Sequence, residues 1–104
     1  MCDDAPSGTA TSTLLVDDGT VRVTAWRFAA RGDNTGWHRH AHDYVVVPLA
    51  DGYLDVDAPD GSRSRVALER GVAYSRRAGV EHDVVSANDG AFAFVETELL
   101  ETHE

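Results

Sequence analysis

The sequence predicts an all-β protein of antiparallel strands, and three observations support this fold class. Apolar and polar residues alternate in short runs rather than recurring at helical spacing. Turn-forming residues separate these runs at intervals of roughly eight to twelve residues, which is typical of sandwiches and barrels. No stretch has the continuous apolar stripe of an amphipathic helix. We therefore expect about six to nine short strands packed as a β-sandwich or β-barrel.

The first predicted strand lies in TVRVTAWRFAARG, which is rich in β-branched and aromatic residues. Alternation places Val21 and Val23 on one face and Trp26 and Phe28 on the other. The next segment, WHRHAHDYVVVPL, alternates and then becomes continuously apolar. We expect it to form one strand that is covered on both faces and ends at a proline suited to an edge or a bulge.

The second half of the chain predicts further short strands. Two alternating runs flank Pro59-Asp60-Gly61, whose residue types favour a turn, and they predict a hairpin. Two strands are expected around Ala78-Gly79, and a last one in AFAFVETELLE with Phe92 and Phe94 on the same face. We expect the acidic end, ETELLETHE, to be solvated.

The length of 104 residues predicts one domain, with residues 1–12 as a flexible leader and residues 13–104 as a single β domain. The formal net charge is −9, from 18 acidic residues and nine arginines. Such a charge repels phosphate backbones and anionic lipids, so neither nucleic acid nor a membrane is an expected partner. The single cysteine, Cys2, and the polar start MCDDAPSGTATS indicate the cytoplasm.

Three histidines lie at two-residue spacing where the predicted strand begins. Alternation points His38, His40 and His42 to one face, and same-face neighbours are about 6.5 to 7 Å apart, which two imidazoles can close around one ion. A transition metal needs a further donor from a neighbouring strand, and His82 is the remaining histidine on a predicted strand. The alternative is that these histidines are ordinary surface or core residues.

Two motifs resemble those of the cupin superfamily, and the resemblance covers residues 20 to 98. In the first, Gly32 is followed by five residues and then by His38-Arg39-His40. The glutamate that cupins carry three or four residues later is absent. Tyr44 or Val45 occupies its place: alternation favours Tyr44, whereas the distance to Gly52 fits Val45.

In the second motif, Gly71 is followed by five residues, then Arg77-Ala78-Gly79, two residues and His82. Arg77 replaces the proline of the cupin motif, and Ser86 replaces its asparagine. Residues 53–70, which contain the predicted hairpin, separate the two motifs as in a cupin.

The resemblance implies an antiparallel jelly-roll β-barrel with a divalent transition metal inside, held by His38, His40 and His82. Zinc, iron, nickel, manganese and copper all remain open. His42 is either a fourth ligand or a histidine at the rim beyond the ion's reach. Tyr44 is either a catalytic residue that donates a proton or orients substrate, with a pKa lowered by the cation, or a core tyrosine.

Three neutral imidazoles leave the charge of a divalent ion uncompensated, which favours an anionic ligand. The implied function is therefore a metal-dependent enzyme, such as an oxygenase, isomerase or lyase, acting on a small organic molecule. The alternative is a non-catalytic cupin that binds a small ligand or serves as an accessory protein with a structural metal. Open strand edges favour a homodimer. Arg76 and Arg77 could attract a carboxylate, but paired arginines on a turn are usually solvated.

Overall fold

Nine β-strands build residues 8–100, the part of the chain that the computed structural model describes. No helix occurs among these residues, and hence none that is long and apolar enough to cross a membrane. The strands are β1 (Thr11–Asp17), β2 (Val21–Phe28), β3 (His38–Arg39), β4 (Tyr44–Pro48), β5 (Gly52–Asp57), β6 (Arg63–Leu68), β7 (Tyr74–Arg76), β8 (Glu81–Ser86) and β9 (Phe92–Leu99).

The strands form two antiparallel sheets, in the orders β1-β2-β9-β4-β7 and β3-β8-β5-β6. The all-β antiparallel prediction is confirmed. Neither sheet of the described chain closes on itself, so the strand pairing gives two open sheets rather than a closed barrel. The inner faces of both sheets contribute to one hydrophobic core, as in a β-sandwich.

The core follows from the alternation of side chains along each strand. Phe28 on β2 is fully buried, and its ring lies 5.7 Å from that of Phe94 and 6.4 Å from that of Phe92, both on β9. Leu54 and Val84 meet this aromatic group from the opposite sheet. Burial of each large apolar side chain contributes about 1.5–3 kcal/mol. The packing of Leu54 and Val84 against the aromatic group therefore holds the two sheets face to face.

The prediction of one continuous strand in WHRHAHDYVVVPL is wrong. The segment divides into β3, which pairs with β8, and β4, which pairs with β7 and β9 in the other sheet. His40 lies in the crossing and exchanges two backbone hydrogen bonds of 2.8 Å, one with Val80 and one with Gly79. The Asp43 carboxylate accepts a further bond of 2.7 Å from the amide of Ala78. These bonds bend the chain from one sheet into the other.

β1 is a strand that the sequence analysis did not predict. Thr11 and Ser12, within the expected leader, already pair with Arg27 and Trp26 of β2. All seven residues of β1 are exposed, so the strand lacks the alternation by which a half-buried strand is recognised. Residues 1–7 of the leader and residues 101–104 lie outside the described part of the chain.

Candidate metal centre

His38, His40 and His82 lie together between the two sheets. His38 on β3 is the register partner of His82 on β8, and His40 follows immediately after β3. The His38 ring centroid lies 4.7 Å from that of His40 and 4.8 Å from that of His82, and the His40 and His82 centroids are 5.2 Å apart. The expectation that these three histidines converge is therefore met.

The nitrogen atoms of the cluster are close enough to share one ion. His38 Nε2 lies 3.0 Å from His40 Nε2, and one ring nitrogen from each of the three residues lies within 4.8 Å of the others. Two nitrogens bound to one zinc-sized ion at about 2.0–2.1 Å, with a right angle between them, are about 3 Å apart. The donor set fits a first-row transition metal.

Burial keeps His40 and His82 neutral. It lowers the pKa of His40 to about 3, with further lowering from His38 and His82. It also lowers the pKa of His82 to about 4, with smaller effects from His38 and Arg76. A neutral imidazole retains a nitrogen lone pair, which is the form that binds a metal.

Backbone contacts orient His38. Its Nδ1 lies 2.8 Å from the carbonyl oxygen of Gly36 and 3.3 Å from the hydroxyl of buried Thr35. The carbonyl can only accept, so Nδ1 carries the proton and the Nε2 lone pair is left for a metal ion. A ligand whose tautomer is fixed in this way is typical of metal sites.

Tyr44, one of the two candidates for the position where cupins carry glutamate, packs directly on the cluster. Its ring is stacked on that of His40, with centroids 3.8 Å apart and an interplanar angle of 20°. The protein raises the pKa of Tyr44, through burial first and then the charges of Glu96 and Tyr74. These groups therefore act against the lowering that the sequence analysis expects from a cation. The phenol is held neutral and can donate a proton.

His42 does not join the three other imidazoles. It is half-buried at the bend between β3 and β4, and neither group of potential ligands found within residues 8–100 includes it. The expectation that His38, His40 and His42 share one strand face is wrong, because regular alternation stops after Arg39.

Glu96 is a component of the site that the sequence analysis placed in a solvated end. It lies on β9, its side chain is 12% exposed, and its Oε2 is 4.0 Å from His40 Nδ1. Burial, followed by the charge of Glu98, raises the pKa of Glu96 to about 8. Alternation from Phe92 and Phe94 places residue 96 on the same inward face, and this was the signal available in the sequence.

A cavity of about 270 Å³ lies beside the cluster, between the two sheets. His38, His82 and Glu96 form part of its wall, together with Tyr44 and Arg76. The rest is mainly apolar, with valines, Leu54 and Phe94. Arg77, considered with Arg76 in the sequence analysis, is not among the lining residues. The arrangement combines a candidate metal centre, the cationic side chain of Arg76 and an apolar cavity, which is the composition of a small-molecule site.

No protein-family model matches the chain. The chain is 53% identical over 90 residues to the beta-alanine degradation protein BauB of Pseudomonas aeruginosa, which covers 86% of this chain and 93% of BauB. A cupin domain from Bordetella pertussis Tohama I superposes with a TM-score of 0.83 at 45% identity, covering 93% of this chain and 97% of that one.

A more distant similarity concerns the fold alone. A Klebsiella pneumoniae protein with a double-stranded β-helix domain superposes with a TM-score of 0.72 at 18% identity, over 91% of this chain and 81% of the other. The two-sheet architecture, the histidine motifs and these similarities all point to the same family. The chain belongs to the cupin superfamily, in the family that includes BauB.

Proposed function

We propose that this cupin is a metal-dependent enzyme that acts on a small carboxylate and holds a divalent transition metal through His38, His40 and His82. The single observation that carries the proposal is the approach of the three rings, with 3.0 Å between His38 Nε2 and His40 Nε2. We also propose that the two sheets correspond to the jelly-roll β-barrel of cupins. The cytoplasmic location stays a prediction.

Charge supports an anionic substrate. Imidazoles that bind a metal carry no charge of their own, so three of them do not compensate a divalent ion, and Arg76 lines the same cavity. A carboxylate that points toward the histidines and Arg76 would leave its hydrocarbon part against Leu54 and Phe94. The bound metal would supply Lewis-acid chemistry or an oxygen-binding centre. The neutral phenol of Tyr44, which also lines the cavity, would donate a proton to the substrate.

The name of the relative narrows the substrate class. BauB is a beta-alanine degradation protein, and it is 53% identical to this chain. We propose that the substrate is a small carboxylate that arises in the breakdown of β-alanine or a similar amino acid. The apolar wall favours a compound that has lost its ammonium group over the zwitterion itself, because burying an unpaired charge is costly.

A homodimer is part of the proposal. β1 forms an edge of its sheet and pairs only with β2 in the described chain, which leaves its outer backbone groups free to pair. A second copy related by two-fold symmetry would cover this edge.

Elemental analysis of protein purified without an affinity tag tests the metal assignment. We expect nearly one first-row metal ion per chain in the wild type and a large loss in His40→Ala and His82→Ala. His42→Ala is the matched control, because it removes an imidazole that lies outside the cluster, and it should retain the metal. Equal metal content in all four proteins would reject the ligand assignment.

Binding of external ligands separates an enzyme from a protein with a structural metal. We expect the spectrum of the cobalt-substituted protein to change when azide or a small carboxylate is added, because the cavity reaches His38 and His82. A spectrum that no added ligand changes would indicate a closed metal site, and the non-catalytic alternative would then replace the enzyme.

A further inference from the structure

Glu96 is a buried carboxyl group behind one of the three histidines. Its side chain is 12% exposed, and among residues 8–100 no direct hydrogen bond joins it to another group. Its Oε2 lies 4.0 Å from Nδ1 of His40, whereas Nε2 on the other side of that ring faces His38. A buried carboxyl without a partner is costly, so its place beside His40 calls for a functional explanation.

We propose that Glu96 is a positioning residue that accepts a hydrogen bond from His40 Nδ1 and thereby directs the His40 Nε2 lone pair toward the metal. This inference rests on the proposed function, because it assigns a role toward the ion held by the three histidines. Nothing in the cupin motifs of the chain assigns this role to a residue on β9.

His38 and Glu98, the neighbouring groups, already have other partners, so Glu96 is the group available to His40. His38 already has a partner for its Nδ1 in the carbonyl of Gly36, at 2.8 Å. Glu98 points inward from the same strand but binds Arg22, with 3.2 Å between Oε1 and Nη1. Glu96 has no such cation within bonding distance among the described residues, so its oxygen atoms are available to His40.

The gap between Glu96 and His40 is small enough to close. A hydrogen bond requires about 2.7–3.2 Å between the nitrogen and the oxygen, so the 4.0 Å separation must shorten by about 1 Å. The terminal torsion of a glutamate side chain is broad, and rotation about it moves the oxygen at little cost.

The position of Glu96 also explains how the site tolerates Tyr44 in place of a glutamate. Tyr44 lies on β4, and β4 is paired with β9, where Val46 is the register partner of Glu96. The carboxyl group missing from one strand is therefore supplied by the adjacent one. It would act through the His40 ring rather than by direct coordination, since a carboxylate partner raises the basicity of a metal-bound imidazole.

Zinc affinity of Glu96→Gln tests the inference. Gln has the same size as Glu but accepts a weaker bond, and loss of such a partner typically weakens metal binding 10- to 100-fold. We expect a loss of that size in competition with a chelator. Glu98→Gln is the matched control, because it makes the same change on β9 at a carboxylate that binds Arg22, and it should stay within about threefold of the wild type.

The melting temperature without metal separates positioning from a structural role. A carboxyl that only stabilises the fold would lower this temperature when replaced, whereas we expect Glu96→Gln to leave it unchanged or raised. In the ¹H–¹⁵N spectrum of the zinc-loaded protein, the His40 Nδ1–H signal should move upfield in this variant. The His38 signal should stay in place, because its partner is the Gly36 carbonyl.

The outcomes are distinguishable. If the wild type binds zinc and Glu96→Gln binds it equally tightly, or the His40 signal of the variant does not move, the positioning role is overturned. The proposed metal site would then remain intact. A wild type that binds no zinc would overturn both. A selective loss of affinity in Glu96→Gln, with an undiminished melting temperature, would support the inference.

Discussion

At the scale of single residues, replacing Arg76 tests whether the cavity binds anions as proposed. Its guanidinium lines the cavity near His82 and lies 4.6 Å from the centroid of the Tyr74 ring. One nitrogen donates a hydrogen bond to the carbonyl of Ser75, which leaves other donors of the fork free for a carboxylate.

Replacing Arg76 should therefore weaken the binding of anions. With propionate as the probe, calorimetry on zinc-loaded Arg76→Ala should give an affinity reduced about tenfold or more, the cost of one charge-assisted hydrogen bond. Arg77→Ala is the matched control, because Arg77 does not line the cavity, and it should bind propionate as the wild type does. Similar losses in both variants would mean that only the general charge matters.

The three histidines, Tyr44 and Arg76 could be named from the sequence, whereas Glu96 was missed. The spacing of His38, His40 and His82 is a local pattern that two cupin motifs reinforce. The contribution of Glu96 depends on which strand lies next to β4, and this pairing is set by the whole sheet. An acidic residue near the C-terminus also looks like a surface residue from composition alone.

At the scale of elements, β1 is an edge strand of its sheet, and all seven of its residues are exposed. Leu14, Leu15 and Val16 are 58%, 54% and 41% exposed, so three apolar side chains of this strand face solvent in the single chain. A row of unpaired backbone groups beside them is a template for pairing with another strand.

Lysine substitutions on β1 should prevent dimerisation. Light scattering after size exclusion should give a dimer for the wild type and a monomer for the double variant Leu14→Lys with Val16→Lys, because charges disfavour edge pairing. Val72→Lys changes a residue of similar exposure, 56%, outside the strands and should remain dimeric. A monomeric wild type, or a dimer that persists in the double variant, would contradict the role of β1.

Some strands could be predicted from the sequence and others could not, and the difference has physical reasons. Alternation and turn residues identified β2 and the β5–β6 hairpin, because one face of β2 is in the core and Gly61 adopts a φ of 89°. β1 escaped prediction because neither of its faces is buried. The division between β3 and β4 escaped because it depends on contacts with Ala78 and Gly79, far along the chain.

At the scale of the whole molecule, the buried ionisable groups of the site predict a maximum of stability near pH 6.5 without metal. The pKa values of His40 and His82 fall from 6.5 to about 3 and about 4, so the unfolded chain binds more protons and acid favours unfolding. The pKa of Glu96 rises from 4.5 to about 8, so the folded chain keeps a proton and stability falls as the pH rises toward 8.

Urea unfolding between pH 5 and 8 measures this balance. Below pH 6.5 the protons gained by the two histidines on unfolding exceed the one lost by Glu96, so stability rises with pH. Above pH 6.5 only Glu96 contributes, and stability falls with pH. The two slopes are opposite and correspond to about one proton each. Glu96→Gln should remove the decline toward pH 8 and keep the decline toward pH 5. A metal-free protein whose stability rises steadily up to pH 8 would contradict this assignment.

Anomalous diffraction from crystals of the zinc-loaded, untagged protein tests the central claim most directly. The account predicts one strong peak between the two sheets, at about 2.0–2.1 Å from Nε2 of His38 and of His40 and from a ring nitrogen of His82. A peak only among the surface carboxylates, or none with the three rings turned away from one another, would contradict it.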